Sequence, residues 1–202
     1  MATPTFPKLD PTGAEFWEVR YREHFTPWDA GRVPKQLQDF VAGEEPPGRV
    51  LVPGCGSAHD VRFFAEAGWD VQGIDFSAAA VEAAVPILGP FASRVTRADF
   101  FGAEVAGPYP LVYERAFLCA LPRREWPRWG ARMAELIPSG GRIAGFFYYE
   151  EPHKPGPPFP MRDRSELHAL LDPAFEAIED REVDDSISIF VGKERWEIWR
   201  RR

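Results

Sequence analysis

The stretch GRVLVPGCGSAHDVRFFAEAG, residues 48–68, constrains this chain more than any other part of it. It joins a short apolar run, a turn with two glycines one residue apart, and a segment of helical spacing. RVLVP reads as a buried strand, while Val61, Phe64 and Ala65 recur at intervals of three and four, one face of a helix that Gly68 stops. A glycine turn between a parallel strand and a helix lets the backbone approach a ligand closely and aims the helix N-terminus at it. Two familiar ligand classes are disfavoured. A dinucleotide fingerprint needs a third glycine where this chain has His59, and a phosphate-binding loop needs a Gly-Lys-Ser/Thr that does not follow.

The rest of the chain repeats the alternation of strand-length apolar runs with longer amphipathic segments, the pattern of an α/β fold with a mainly parallel sheet. WDVQGID, residues 69–75, is the second strand, and Ser77 is placed to cap a helix over SAAAVEAAVPIL that Pro86 interrupts. SRVTRADFF, PLVYERAFL and GRIAGFFYY are the next strands, with a helix over RREWPRWGARMAELI before the last of them. After a short helix near DRSELHALLD, the runs FEAIEDREV and ISIFVGKERWEIW form an antiparallel hairpin that closes the sheet. The first sixteen residues and EEPHKPGPPFPMRD are irregular. Loops of that length in a compact domain tend to cover a site, so residues 1–28 and 150–163 are expected to act as lids.

Composition excludes several partners. At 202 residues and 45% hydrophobic content the chain forms one domain, residues 1–202, with a sizeable core. A net charge of −7 argues against nucleic acid, which needs a dense basic face. Arg200, Arg201 and Arg202 are read as a solvated tail without a role. No apolar run approaches a membrane span, so a cytoplasmic protein is expected, as a monomer or weak dimer. Cys55 and Cys119 make no disulfide framework, and four scattered histidines make no metal site.

A carboxylate about 20 residues beyond such a glycine turn can grip the two hydroxyls of a ribose, and Asp75 ends the second strand at that place. It could equally cap the helix that follows.

VLVPGCGSAHD followed by VQGIDFS resembles the first two motifs of class I S-adenosylmethionine-dependent methyltransferases. FWEVRY, TPWDAG, VPGCG, YERAFLCALP and HKPGPPF, in that order over roughly residues 15–200, resemble the thiopurine S-methyltransferase family with its thiol and halide branch. The resemblance implies a Rossmann-like fold: a mostly parallel seven-stranded sheet with an antiparallel C-terminal hairpin and helices on both faces. It implies S-adenosyl-L-methionine as cofactor. Trp17, Tyr21 and Trp28 match aromatics that fold over it, as suits a sulfonium cation; without the resemblance they read equally as a helix docking on the core. Gly54 and Gly56 match the loop beneath the cofactor, Asp75 the ribose-binding acid, and Ala98 with Asp99 the pair beside the adenine. Arg115 matches an arginine after the fourth strand, though it could instead pair with an acid at the core edge. For the acceptor, Trp28, Arg115 and Tyr148 are the candidates.

The chain departs from the commoner pattern at Val52, where many methyltransferases carry an acid, at Ala58, where the loop often ends in glycine, and at Tyr21, where a tryptophan is common. The fourth strand lacks the Asn/Asp-Pro-Pro-aromatic box of amide and nucleobase amino methyltransferases. The resemblance implies in-line transfer of a methyl group to a small soft nucleophile: a thiol, a thiopurine, a selenium or tellurium oxyanion, or a halide. A thiol is partly ionised at neutral pH, so no catalytic base is assigned. A cofactor-binding module without turnover, serving a protein partner, is the alternative.

Overall fold

A computed structural model describes residues 5–44, 48–151 and 156–202. Its elements are α1 (Ala14–Arg22), α2 (Lys35–Ala42), β1 (Arg49–Pro53), α3 (His59–Glu66), β2 (Asp70–Asp75), α4 (Ala78–Leu88), β3 (Val95–Arg97), β4 (Leu111–Arg115), α5 (Trp126–Leu136), β5 (Arg142–Tyr148), α6 (Arg164–Leu171), β6 (Phe175–Glu182) and β7 (Glu194–Arg201). One seven-stranded sheet runs in the order β3-β2-β1-β4-β5-β7-β6. The first five strands are parallel to one another, and β7 lies antiparallel between β5 and β6. Reversal of the strand order occurs between β1 and β4, where ligands collect at the carboxyl ends of the strands.

Both faces of the sheet are covered, which explains why its strands are nearly continuous apolar runs. Side chains alternate across a strand. Leu51, Val112, Ile143 and Phe147 therefore join the core under α5 and α6, with Trp129, Met133, Leu167, Leu171 and Trp199. Val50, Val52, Leu111, Tyr113, Ala144 and Phe146 join the opposite core with Leu37, Val61, Phe64, Ala84 and Leu88 from α2, α3 and α4. The glycine turn emerges from the middle of this construction.

Three expectations are corrected. Pro86 does not interrupt α4, which runs to Leu88; the proline sits in the last turn, where one lost backbone donor ends little beyond itself. Ser77 caps that helix as expected, its Oγ accepting from Ala80 N at 3.2 Å. ISIFVGKERWEIW is not one strand: β7 begins only at Glu194, and residues 183–193 form a connection that folds back on itself, with Phe190 N donating to Ile187 O at 2.8 Å. The terminal arginines are not a free tail. Arg200 pairs with Glu176 across the β6–β7 ladder at 2.6 Å, and Arg201 Nη1 donates to the Ala174 carbonyl at 2.9 Å.

The N-terminal segment also carries more structure than its composition suggests. Residues 14–22 form α1, and Glu18 on it accepts from Ala78 N and Ala79 N at the start of α4. Tyr21 packs on Ala79 and Ala80. The expectation of an irregular segment fails from residue 14 on, because Glu18 and Tyr21 dock α1 on the start of α4. Of the second expected lid, residues 152–155 lie outside the described residues.

Candidate active site

A cavity of about 700 Å³ opens at the carboxyl ends of β1, β2, β3 and β4, in the size range of pockets that hold cofactors and small ligands. Trp17, Tyr21, Trp28, Gly54, Gly56, Asp75, Ala98, Asp99 and Arg115 all line it. Nine of the ten residues expected from the sequence are thus brought together. Tyr148 is the exception: it lies one layer back, its ring 5.1 Å from Phe190 and its hydroxyl donating to Glu150, and Cys119 and Phe190 stand between it and the cavity. Strand alternation gives the face of a residue but not its height along the strand, which is why Tyr148 was misplaced.

The floor is the glycine loop. Gly54 and Gly56 take φ of +59° and +52°, and Ala58 takes +63°. These left-handed values favour glycine, and close packing adds to the constraint. A Cβ on Gly54 would stand 2.5 Å from the Phe117 ring, and one on Gly56 would overlap the Tyr21 hydroxyl. Ala58 accommodates its methyl group by burying it in the core around α3.

Asp75 closes the loop from the side. Its Oδ2 accepts from Gly56 N at 3.1 Å and its Oδ1 from Ser77 N at 2.9 Å. Burial pushes its pKa up to about 6, against the opposing effect of those backbone donors. It therefore does both things the sequence allowed: it braces the start of α4 and it faces the cavity. Each carboxylate oxygen keeps a second lone pair for a hydroxyl. Ala98 N donates to the Asp75 carbonyl at 3.0 Å, which sets β3 and its exposed Asp99 along the same wall.

The roof is aromatic. Trp28 stacks edge-on with Trp17 at 5.4 Å and with Tyr21 at 6.1 Å, and Trp17 Nε1 is anchored on the Pro11 carbonyl at 2.8 Å. Next to it Asp29 ties the segment to the glycine loop, its Oδ2 accepting from Ser57 Oγ at 2.5 Å and its Oδ1 lying 3.8 Å from His59 Nε2.

At the far end stands Arg115, stacked over the Phe146 ring at 4.2 Å. Burial alone would draw its pKa down, but Tyr113, Glu194, Asp60 and Asp185 around it hold it above the ordinary value. Its Nη1 is buried and, among the described residues, has no hydrogen-bond partner; neither have Asp60 Oδ1 and Tyr113 OH nearby. Glu114 does not pair with Arg115. Its Oε1 turns the chain after β4 by accepting from Phe117 N at 2.8 Å and Leu118 N at 2.9 Å, and burial pushes its pKa up to about 7. Among the described residues no group of three or more His, Cys, Asp or Glu is placed to hold a metal ion.

Sequence reasoning missed the contribution of residues 183–193. Ile189 and Phe190 line the cavity from the connection before β7. The inward Phe190 beside the exposed Val191, 2% against 60% accessible, carries no periodic signal in the sequence.

The thiopurine S-methyltransferase family profile matches residues 12–202. The chain belongs to that family. Among its relatives, thiocyanate methyltransferase 1 of Brassica oleracea is 32% identical over 190 residues, covering 92% of this chain and 84% of that one. Thiopurine S-methyltransferase of Bordetella petrii is 32% identical over 185 residues, covering 82% and 84%. The fold is shared with 1,6-didemethyltoxoflavin-N1-methyltransferase of Burkholderia thailandensis, solved with S-adenosylhomocysteine, at a TM-score of 0.76, 15% identity, and coverage of 99% and 94%. The protein is a methyltransferase with S-adenosylmethionine as its methyl donor, and the cavity's donor set fits that molecule. Asp75 has lone pairs for a ribose, the glycine loop lines the cavity floor, and aromatic faces suit a sulfonium. Among the described residues no helix is long and apolar enough to cross a membrane.

Proposed function

We propose that the protein transfers a methyl group to a small, soft, anionic nucleophile, such as a thiolate, hydrosulfide, thiocyanate or halide, held beside Arg115. The observation that carries this reading is a guanidinium on the cavity wall, stacked on Phe146 and kept charged by the acids around it. A guanidinium on a cavity wall favours an anionic ligand. The name of the thiocyanate relative agrees with an acceptor of this kind.

When bound, S-adenosylmethionine supplies a methyl group activated by its sulfonium. The chain's own work is positional. Asp75 and the glycine loop fix the nucleoside end, Trp17, Tyr21 and Trp28 cover it and exclude water, and Arg115 holds the acceptor in place. Alignment of two reactants in one cavity contributes much of the rate, because the entropy of bringing them together is lost on binding. No side chain need take a proton from an acceptor that arrives ionised. A monomer or weak dimer in the cytoplasm, where Cys55 and Cys119 stay unpaired, is the working form we infer.

The test is turnover with the methyl donor and a panel of thiocyanate, hydrosulfide, iodide, an aliphatic thiol and a thiopurine, read as S-adenosylhomocysteine formed. Arg115→Gln is expected to raise KM for the preferred anion roughly tenfold or more, the scale of a charged hydrogen bond. Absence of turnover with every acceptor would overturn the reading.

A further inference from the structure

The connection between β6 and β7 is built to face the cavity. Phe190 is buried, packed at 67° against the Tyr148 ring and in one cluster with Cys119 and Ala116, which directly follow Arg115's strand. It is not held by packing alone. Asp185, at the start of the connection, receives Arg32 Nη1 at 2.5 Å and Lys35 N at 3.0 Å, while Ser186 Oγ donates to Glu194 Oε1 at 2.6 Å at its end. Backbone bonds from Val191 N to Ile187 O and from Lys193 N to Phe190 O tighten the turn between. A segment pinned at both ends, with one aromatic turned inward, is a rigid wall.

We infer that Phe190, with Ile189, is the size filter for the acceptor: it admits compact or linear soft anions to Arg115 and excludes bicyclic aromatic thiols. The inference rests on the reading that Arg115 holds the acceptor. Both residues line the same cavity as Arg115, and Phe190 contacts the chain one and four residues beyond it. An apolar ring beside a cation leaves room for a nucleophile of few atoms and offers no polar group to a larger heterocycle. Steric discrimination by a hydrophobic wall of this kind is typically about 10- to 200-fold.

The experiment compares kcat/KM for thiocyanate or iodide with that for a bicyclic thiopurine, in the wild type, Phe190→Ala, Phe190→Leu and Ile189→Ala, with S-adenosylhomocysteine affinity measured alongside. The expected result is a shift of the ratio toward the thiopurine by about tenfold or more in Phe190→Ala, smaller in the other two, with cofactor affinity within about twofold of wild type. A wild type inactive on every acceptor defeats the underlying reading. An active wild type whose ratio is unmoved by these substitutions overturns the filter alone. Should Phe190→Ala fail to fold, Phe190→Leu and Ile189→Ala carry the same comparison.

Discussion

The carboxylate of Glu18, on the first helix, accepts the backbone N–H of Ala78 at 2.5 Å and that of Ala79 at 3.3 Å, at the head of a helix sixty residues further along the chain. The N-terminal helix thus satisfies donors that α4 cannot satisfy itself. Glu18→Ala should cost about 1–2 kcal/mol of stability, the scale of a lost helix cap. Chemical denaturation measures it, and S-adenosylhomocysteine affinity should fall in parallel as Trp17 and Tyr21 lose their anchor. Deletion of residues 1–28 should destabilise the core for the same reason.

On the proposed function, Asp75 should make cofactor binding dependent on pH. Its carboxyl in the folded protein titrates near 6, raised by burial from 3.8. Ribose hydroxyls donate to the ionised form, so affinity for S-adenosylhomocysteine should be level above about pH 7 and fall through pH 6, approaching tenfold per pH unit below it. Asp75→Ala should weaken binding by about 1.5–3 kcal/mol. Calorimetry across pH 5–8 decides; an unchanged dissociation constant in a folded variant would leave Asp75 a capping residue only.

Glu114 gives stability its own pH dependence. Burial raises its folded-state pKa from 4.5 to about 7. Between those values the native state holds a proton that the unfolded state has lost, so this group's contribution is complete below about pH 4.5 and is lost as pH rises toward 7. Glu114→Gln keeps an acceptor for Phe117 N and Leu118 N and removes the titration. Its unfolding free energy should vary less than wild type between pH 4.5 and 7.5.

Gly56 and Tyr21 should be energetically coupled. Gly56→Ala forces a side chain into φ of +52° and onto the Tyr21 hydroxyl, a destabilisation of about 1–2 kcal/mol. Tyr21→Phe clears the overlap, since the next Tyr21 atom lies 3.7 Å away. The double variant should recover a measurable part of the loss, and strict additivity in a double-mutant cycle would exclude the contact.

Much of the donor end of the site was legible in the sequence because its signals are local: two glycines in a turn, an acid at a strand end, a serine cap three residues before its donor. The same holds for β1, α3 and β2, whose periods of two and 3.6 are unambiguous. What escaped was decided by contacts between distant segments. Glu18 reaching α4, Arg32 reaching Asp185 and Arg142 reaching Glu44 at 2.7 Å leave no pattern in their neighbours. Pro86 within a helix and Phe190 within an apolar run misled for another reason: residue type suggested a break in one case and a strand in the other, and tertiary packing overrode both.

The staple between Arg32 and Asp185 joins positions 153 residues apart across a cavity whose two ends come from different stretches of the chain. On the proposed function, the lining residues between 11 and 101 hold the nucleoside end, and those between 115 and 190 form the wall around Arg115. Mutation can therefore remodel what the enzyme methylates without disturbing how it grips the donor. Two relatives at the same 32% identity, one named for thiocyanate and one for thiopurine, are the divergence such a division of labour permits.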